Sequence, residues 1–187
     1  MIVITGASGL VGANLVRALL AEEGSRRLRA VVHRDRRALQ GLDIELVEAD
    51  LSDQVSLESA FRGADLVYHL AASISLNMES WPSVAATNLE GTQRVLAACQ
   101  ACGVRRLVYF SSIHTRQQEP LDQLLDESRP LLDDPEAPPY ERSKAAAERV
   151  VQQAVAQGLD VVTIIPTAVI GPYDFKPSYI RNALLLL

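Results

Sequence analysis

The sequence predicts an α/β fold, a doubly wound parallel sheet with helices on both faces. Three observations point there. Six short apolar runs alternate with helical patterns along the 187 residues. Each run is mainly apolar rather than strictly alternating, as suits a parallel strand covered on both sides. The first run, Ile2-Val3-Ile4, leads directly into Thr5-Gly6-Ala7-Ser8-Gly9-Leu10-Val11-Gly12, a strand that turns through glycines into a helix.

The strands are expected over 2–5, 28–33, 44–48, 65–71, 105–111 and 160–165, and the helices over 11–23, 54–62, 84–102 and 140–157. The first helix places Leu15, Val16, Leu19 and Leu20 on one face. Gly24, Gly63, Gly103 and Gly158 stand at or just past helix ends, where a left-handed cap is wanted. Pro138-Pro139 suits the start of the last helix. Right-handed crossovers between such elements give the strand order 3-2-1-4-5-6. Residues 115–139, rich in Pro, Asp, Glu and Gln, break the rhythm as a long loop. It reads either as functional or as a solvated acidic connector. Ser178 to Leu187 reads as an apolar helix without a cap. Residues 1–187 are therefore expected to form a single domain, a fragment of something longer.

Composition bounds the function. Hydrophobic residues make up 48% and charged residues 22%, as in an ordinary globular domain. A net charge of −5 argues against a general nucleic-acid binder, which presents a basic face. No apolar stretch reaches membrane-spanning length, and the first strand leaves no room for a signal peptide, so cytoplasmic residence is expected. Cys99 and Cys102 are spaced C-x-x-C, but no further ligands or thioredoxin-like setting accompany them. They read as two small helical residues, and no metal site is expected.

The glycine loop is the most informative segment. A strand-to-helix turn aims backbone N–H groups and the positive end of a helix dipole at one spot, where a pyrophosphate fits. Gly6 permits the turn, Gly9 lets the phosphates approach, and Gly12 lets helix and strand pack. Ser8, Leu10 and Val11 complete the loop. This is the Rossmann-type arrangement, in which ligands lie at the carboxyl ends of the strands.

Those ends carry more chemistry. Strand two runs into His33-Arg34-Asp35-Arg36-Arg37. An Arg here accommodates a 2′-phosphate and an acid grips a 2′-hydroxyl, so Arg34, supported by Arg36 or Arg37, favours NADP, while Asp35 leaves NAD open. After strand three, Asp50 is placed to accept from an adenine amino group with Leu51 packing on the ring, or else to cap the next helix along with Ser52 or Asp53. After strand four, Leu70, Ala71 and Ala72 are small enough for close backbone approach to the cofactor. Strand five ends at Ser111-Ser112, and the following helix opens with Tyr140-Glu141-Arg142-Ser143-Lys144. Tyr140 and Lys144 share a helical face. A phenol with pKa ~10 is a poor acid–base group near neutrality, and a nearby ammonium pulls it down. Ser112 then donates to a substrate oxygen while Tyr140 transfers the proton.

Taken together, T-G-A-S-G-L-V-G at 5–12, A-D-L at 49–51, H-L-A-A at 69–72, N-L-E-G-T at 88–92, S-S at 111–112 and Y-E-R-S-K at 140–144 resemble the extended short-chain dehydrogenase/reductases of the NAD-dependent epimerase/dehydratase superfamily. The pieces stand in family order over essentially the whole chain. The resemblance implies Ser112, Tyr140 and Lys144 as a catalytic triad and a structural and proton-relay role for Asn88. It also implies that Lys144 binds the nicotinamide ribose and that Pro166 and Thr167 line the nicotinamide pocket. Within the family the chain is most similar to the dihydroflavonol-reductase-like group. The signs are the basic Arg34-Asp35, the absence of V-Y-G after Ser112, where Ile113-His114-Thr115 stands instead, and Pro166-Thr167-Ala168-Val169-Ile170-Gly171-Pro172. His114 reads as polar lining beside the site.

The function so implied is reduction of a ketone or aldehyde by hydride transfer from the reduced form of NADP, NAD being possible, with a small-molecule carbonyl or alcohol as partner and neither nucleic acid nor membrane. The alternatives are a sugar-nucleotide epimerase or dehydratase holding NAD tightly, and a non-catalytic NADP-binding redox sensor. Alanine and valine on the helices at 84–102 and 140–157 suit a homodimer, or the chain's own sheet.

Overall fold

All six apolar runs lie side by side in one parallel sheet. The structure, a computed structural model, describes residues 1–22, 27–74 and 80–175. The strands are β1 (Ile2–Thr5), β2 (Leu28–Val32), β3 (Glu45–Glu48), β4 (Leu66–His69), β5 (Arg106–Phe110) and β6 (Val161–Ile164). Their order is β3-β2-β1-β4-β5-β6, as expected. Register holds the strand ends level: Thr5 at the end of β1 pairs with Val31 on one side and His69 on the other. The loops that follow are thereby gathered along one rim.

Helix α1 (Leu10–Ala21) covers one face and buries Val16 against Ile2, Ile4, Ala30 and Val32. On the other face lie α2 (Gln54–Phe61), α4 (Gly91–Ala101) and α5 (Pro139–Ala156), which enclose Val3, Val67, Leu107 and Tyr109 with Leu57, Phe61, Val95, Cys99 and Val151. The alternating positions of one strand thus serve two separate cores. Of the alanines and valines singled out on the helices at 84–102 and 140–157, Val95, Ala98, Ala147, Val151 and Ala154 lie in this core. Gly63, Gly103 and Gly158 follow helix ends with positive φ, whereas Gly24 and the expected helix from Ser178 fall outside the described residues.

Three expectations need correction. The two edge strands are not covered on both faces: Leu46 is 40% exposed, and Val162 43%. An edge strand lies at the limit of the helical layers, and apolar residues alone do not reveal that position. The helix expected from residue 84 starts earlier, with α3 (Trp81–Ala85), because Pro82 occupies its first turn, a favourable start. It then passes into α4 through a wide π turn at Ala86–Glu90. The π turn carries Asn88 inward, only 2% exposed.

The 115–139 loop is ordered by its own contacts. Arg116 and Leu131 form an antiparallel bridge at its root. The Arg129 guanidinium donates to five carbonyls, those of Gln117, Glu119, Pro120, Gln123 and Leu124. One buried fork thus satisfies a turn of chain with no ladder of its own.

Candidate active site

The loop after β1 is shaped for close approach. Gly6 has φ +69°, and a Cβ there would meet the Ala71 nitrogen at 2.5 Å and the Leu70 carbonyl carbon at 2.7 Å. A Cβ on Gly12 would meet the Gly6 carbonyl oxygen at 2.3 Å. Both positions are closed to a side chain. Gly9 differs: its Cβ would meet only the Gly6 oxygen, at 3.3 Å, so the space before it is otherwise open. The Gly9 N–H is used within the turn, on the Gly6 oxygen. No side chain caps α1 and no acid stands in its first turn. A helix start left uncapped, beside an open glycine, fits a pyrophosphate.

Below the loop runs a buried polar chain that sequence reasoning missed. Thr92 Oγ1 donates to the Asn88 carbonyl (2.6 Å), so its lone pair accepts from His69 Nε2 (3.1 Å). His69 Nδ1 then accepts from Thr5 Oγ1 (2.7 Å), which itself accepts from the Ala71 N–H (3.4 Å). This order fixes the histidine as the neutral Nε2–H tautomer. Burial, helped by the Lys144 charge, lowers its pKa to about 3. The signal was present in the sequence as a histidine inside an apolar strand. Asn88 continues the chain: its side chain accepts from the Ser73 N–H (2.8 Å) and donates to the Ser73 carbonyl (3.0 Å) and Ser143 Oγ (2.9 Å). All its polar atoms are engaged in holding the segment after β4 to α5.

At the β2 end, Asp35 is clamped by Arg37 through two contacts, 2.7 and 3.0 Å, and Arg36 pairs with Glu48 at 2.9 Å. Arg34 is exposed and forms no salt bridge among the described residues. Asp50 Oδ1 accepts from the backbone and hydroxyl of Ser52, both 2.8 Å, and Oδ2 faces His33 at 3.2 Å. The Ser52 hydrogen bonds hold the Asp50 carboxyl below its ordinary range. The α2 cap is Asp53, which accepts from the Val55 N–H. Leu51 packs partly into the core against Gly91, whose added Cβ would meet it at 3.2 Å.

At the β5 end the triad candidates come together. Ser112 is buried, its hydroxyl accepts from the His114 N–H, and it stands near enough to the Tyr140 phenol to act on that group's pKa. Lys144, one helical turn beyond Tyr140, is buried, donates to the Phe110 carbonyl at 2.7 Å and stands 4.8 Å from the Tyr109 ring centre. Burial lowers its pKa to about 8, against the opposing pull of Glu148. The expected lowering of the phenol by Lys144 is absent. Burial raises the Tyr140 pKa, and only the Ser112 hydrogen bond acts the other way. The ammonium is turned to the Phe110 carbonyl, which explains the difference. Pro166 accepts from the Ile113 N–H at 3.1 Å, beside Ser112, while Thr167 is exposed. His114 lies 3.3 Å from Glu141. Burial lifts the Cys99 thiol to about 12, in keeping with a structural residue.

Against known proteins, the model of the "NAD dependent epimerase/dehydratase family" matches residues 2–186. The chain belongs to that family. It is 36% identical to sterol demethylase protein B of Methylococcus capsulatus, over 97% of this chain and 55% of that protein. It is 32% identical to dihydroflavonol 4-reductase of Zea mays, over 99% of this chain and 58% of that protein. Among solved structures it resembles the dTDP-glucose 4,6-dehydratase DesIV of Streptomyces venezuelae with NAD bound, at 26% identity and a TM-score of 0.82, covering 92% of this chain and 57% of that one. The chain spans about half the length of the curated relatives it matches. The family is one of NAD-dependent proteins, and the relatives include reductases. Among the described residues no helix is long and apolar enough to cross a membrane, and no cluster of metal-ligating side chains occurs.

Proposed function

We propose that the chain is the cofactor-binding half of an NADPH-dependent reductase that acts on a ketone or aldehyde. The observation that carries this reading is the Ser112–Tyr140 hydroxyl pair with Lys144 one turn away. Bound NADPH supplies a hydride. The chain's own residues do the rest. The uncapped start of α1 and Gly9 receive the pyrophosphate. Ser112 donates to the carbonyl oxygen as negative charge develops there. Tyr140 gives that oxygen its proton. Its raised pKa suits this direction, because the phenol is held in the protonated form that donates. Lys144 spends one of three N–H donors on Phe110 and keeps two, for the nicotinamide ribose and for the phenolate left after proton transfer.

The preference for NADPH rests on charge. Asp35, the acid that would grip a 2′-hydroxyl, is neutralised by Arg37, while Arg34 stands exposed. Titration with NADPH and NADH, followed by a carbonyl panel, tests both points. NADPH is expected to bind more tightly, and to be consumed stoichiometrically. Arg34→Ala is expected to weaken NADPH about 10- to 100-fold, as a lost charge-assisted contact does, and NADH far less. Equal loss for both would move the phosphate contact elsewhere. Tightly bound NAD that never exchanges would favour the epimerase or dehydratase reading. Cofactor binding without turnover on any carbonyl would favour a redox sensor.

A further inference from the structure

Behind Ser112 lies a buried ion pair that the proposed chemistry does not use. Arg116 is 5% exposed and Glu148 2%, and Arg116 Nη2 donates to Glu148 Oε1 at 2.7 Å. The other carboxylate oxygen accepts from Ser111 Oγ and from Thr115 Oγ1. Arg116 Nη1 also donates to Thr115 Oγ1 at 3.1 Å. Thr115 in turn donates to the Ser112 carbonyl through its backbone (3.0 Å), and its one hydroxyl proton is shared between that carbonyl (2.7 Å) and Glu148 Oε2 (3.0 Å). Glu148 thus grips the chain immediately before Ser112 and again just after it. It stands on α5, one turn past Lys144 and two past Tyr140.

A buried pair of this kind adds little net stability, since two charges must leave water and an apolar pair packs as well. What it supplies is direction. Its three donors fix both flanks of Ser112 to the helix that presents the phenol and the ammonium. We propose that Arg116 and Glu148 are positioning residues that hold the Ser112 turn in register with Tyr140 and Lys144. The proposal rests on the reductase reading for its kinetic consequence and on the geometry alone for its structural one. Glu148 has an electrostatic effect as well. The charged and titratable groups shown to act on or face Lys144 are His69 from β4, Tyr109 from β5 and Glu148 from α5. Of these Glu148 is the carboxylate that supports the ammonium.

The test uses the double variant Arg116→Met/Glu148→Leu, which removes both charges together, and Glu148→Gln. The chain has only two lysines, Lys144 and Lys176, so lysine-labelled NMR follows Lys144 with a single competing signal. The expected result is a folded protein whose kcat falls about 10- to 100-fold, the scale of a small misplacement of reacting groups, with NADPH affinity within about twofold. Lys144 should then titrate at lower pH than in the native chain, because the carboxylate that supports its charge is gone. Arg116→Lys, which keeps the charge but loses the fork, should recover part of kcat and decides the matter if the other variants fail to fold. A folded variant with native kcat, or one that loses thermal stability alone, overturns the proposal. If the native chain transfers no hydride, the reductase reading fails, and the NMR titration still decides: an unmoved Lys144 signal in Glu148→Gln overturns the pair's role.

Discussion

Tyr140 is the residue whose chemistry the proposed function depends on, and its surroundings make it a donor. Burial disfavours the phenolate, and the nearby Ser112 hydroxyl moderates this. Tyr140→Phe removes the proton and little else. Turnover should fall by about 10²- to 10⁴-fold, the usual worth of a positioned acid, with NADPH affinity nearly intact in a binding titration. An active Phe variant would assign the proton elsewhere. His69 carries a second consequence. Its folded pKa is about 3 against an ordinary 6.5. Unfolding therefore takes up a proton between those values, so the stability it contributes is complete above 6.5 and lost as pH falls toward about 3. Urea unfolding across this window should show a dependence up to about 1.4 kcal/mol per pH unit steeper than in His69→Asn. Equal slopes would mean that the imidazole is not held neutral.

At the level of elements, the glycine loop separates folding from binding. Gly12→Ala places a methyl 2.3 Å from the Gly6 oxygen, so α1 must shift and stability should fall by about 1–3 kcal/mol. Gly9→Ala meets only one atom, at 3.3 Å, and should leave thermal unfolding close to native while sharply weakening NADPH. Calorimetry and a cofactor titration on the two variants check the distinction, and a Gly9→Ala protein with native affinity would refute the phosphate cradle. The loop was legible in the sequence because strand, glycines and helix follow one another without interruption. Tyr140 and Lys144 were legible because helical spacing puts them on one face. The π turn was not, since a wide turn leaves no periodic mark in five residues. Nor was the clamp on the 115–139 segment, where one arginine gathers carbonyls that the sequence cannot rank. Glu148 left a faint sign, an acid within the apolar stripe of Ala147 and Val151.

Over the whole molecule, parallel register brings the ends of β1, β2, β4 and β5 to one rim, so distant segments meet there. Strand order followed from the alternation of elements, but which strands stand at the edges and expose Leu46 and Val162 depends on how far the helical layers extend. The homodimer inferred from the helices remains a proposal with a narrower footing. Several of the small residues that suggested it, Val95, Ala98, Ala147, Val151 and Ala154, are spent on the chain's own core. The central claim is geometric: a dinucleotide held at the glycine loop presents its nicotinamide to Tyr140. The direct measurement is the nuclear Overhauser spectrum of the chain with bound NADP+. Cross-peaks between the nicotinamide H4 proton and the Tyr140 ring are predicted. Cross-peaks to other residues in their place, with the cofactor bound, would contradict the account.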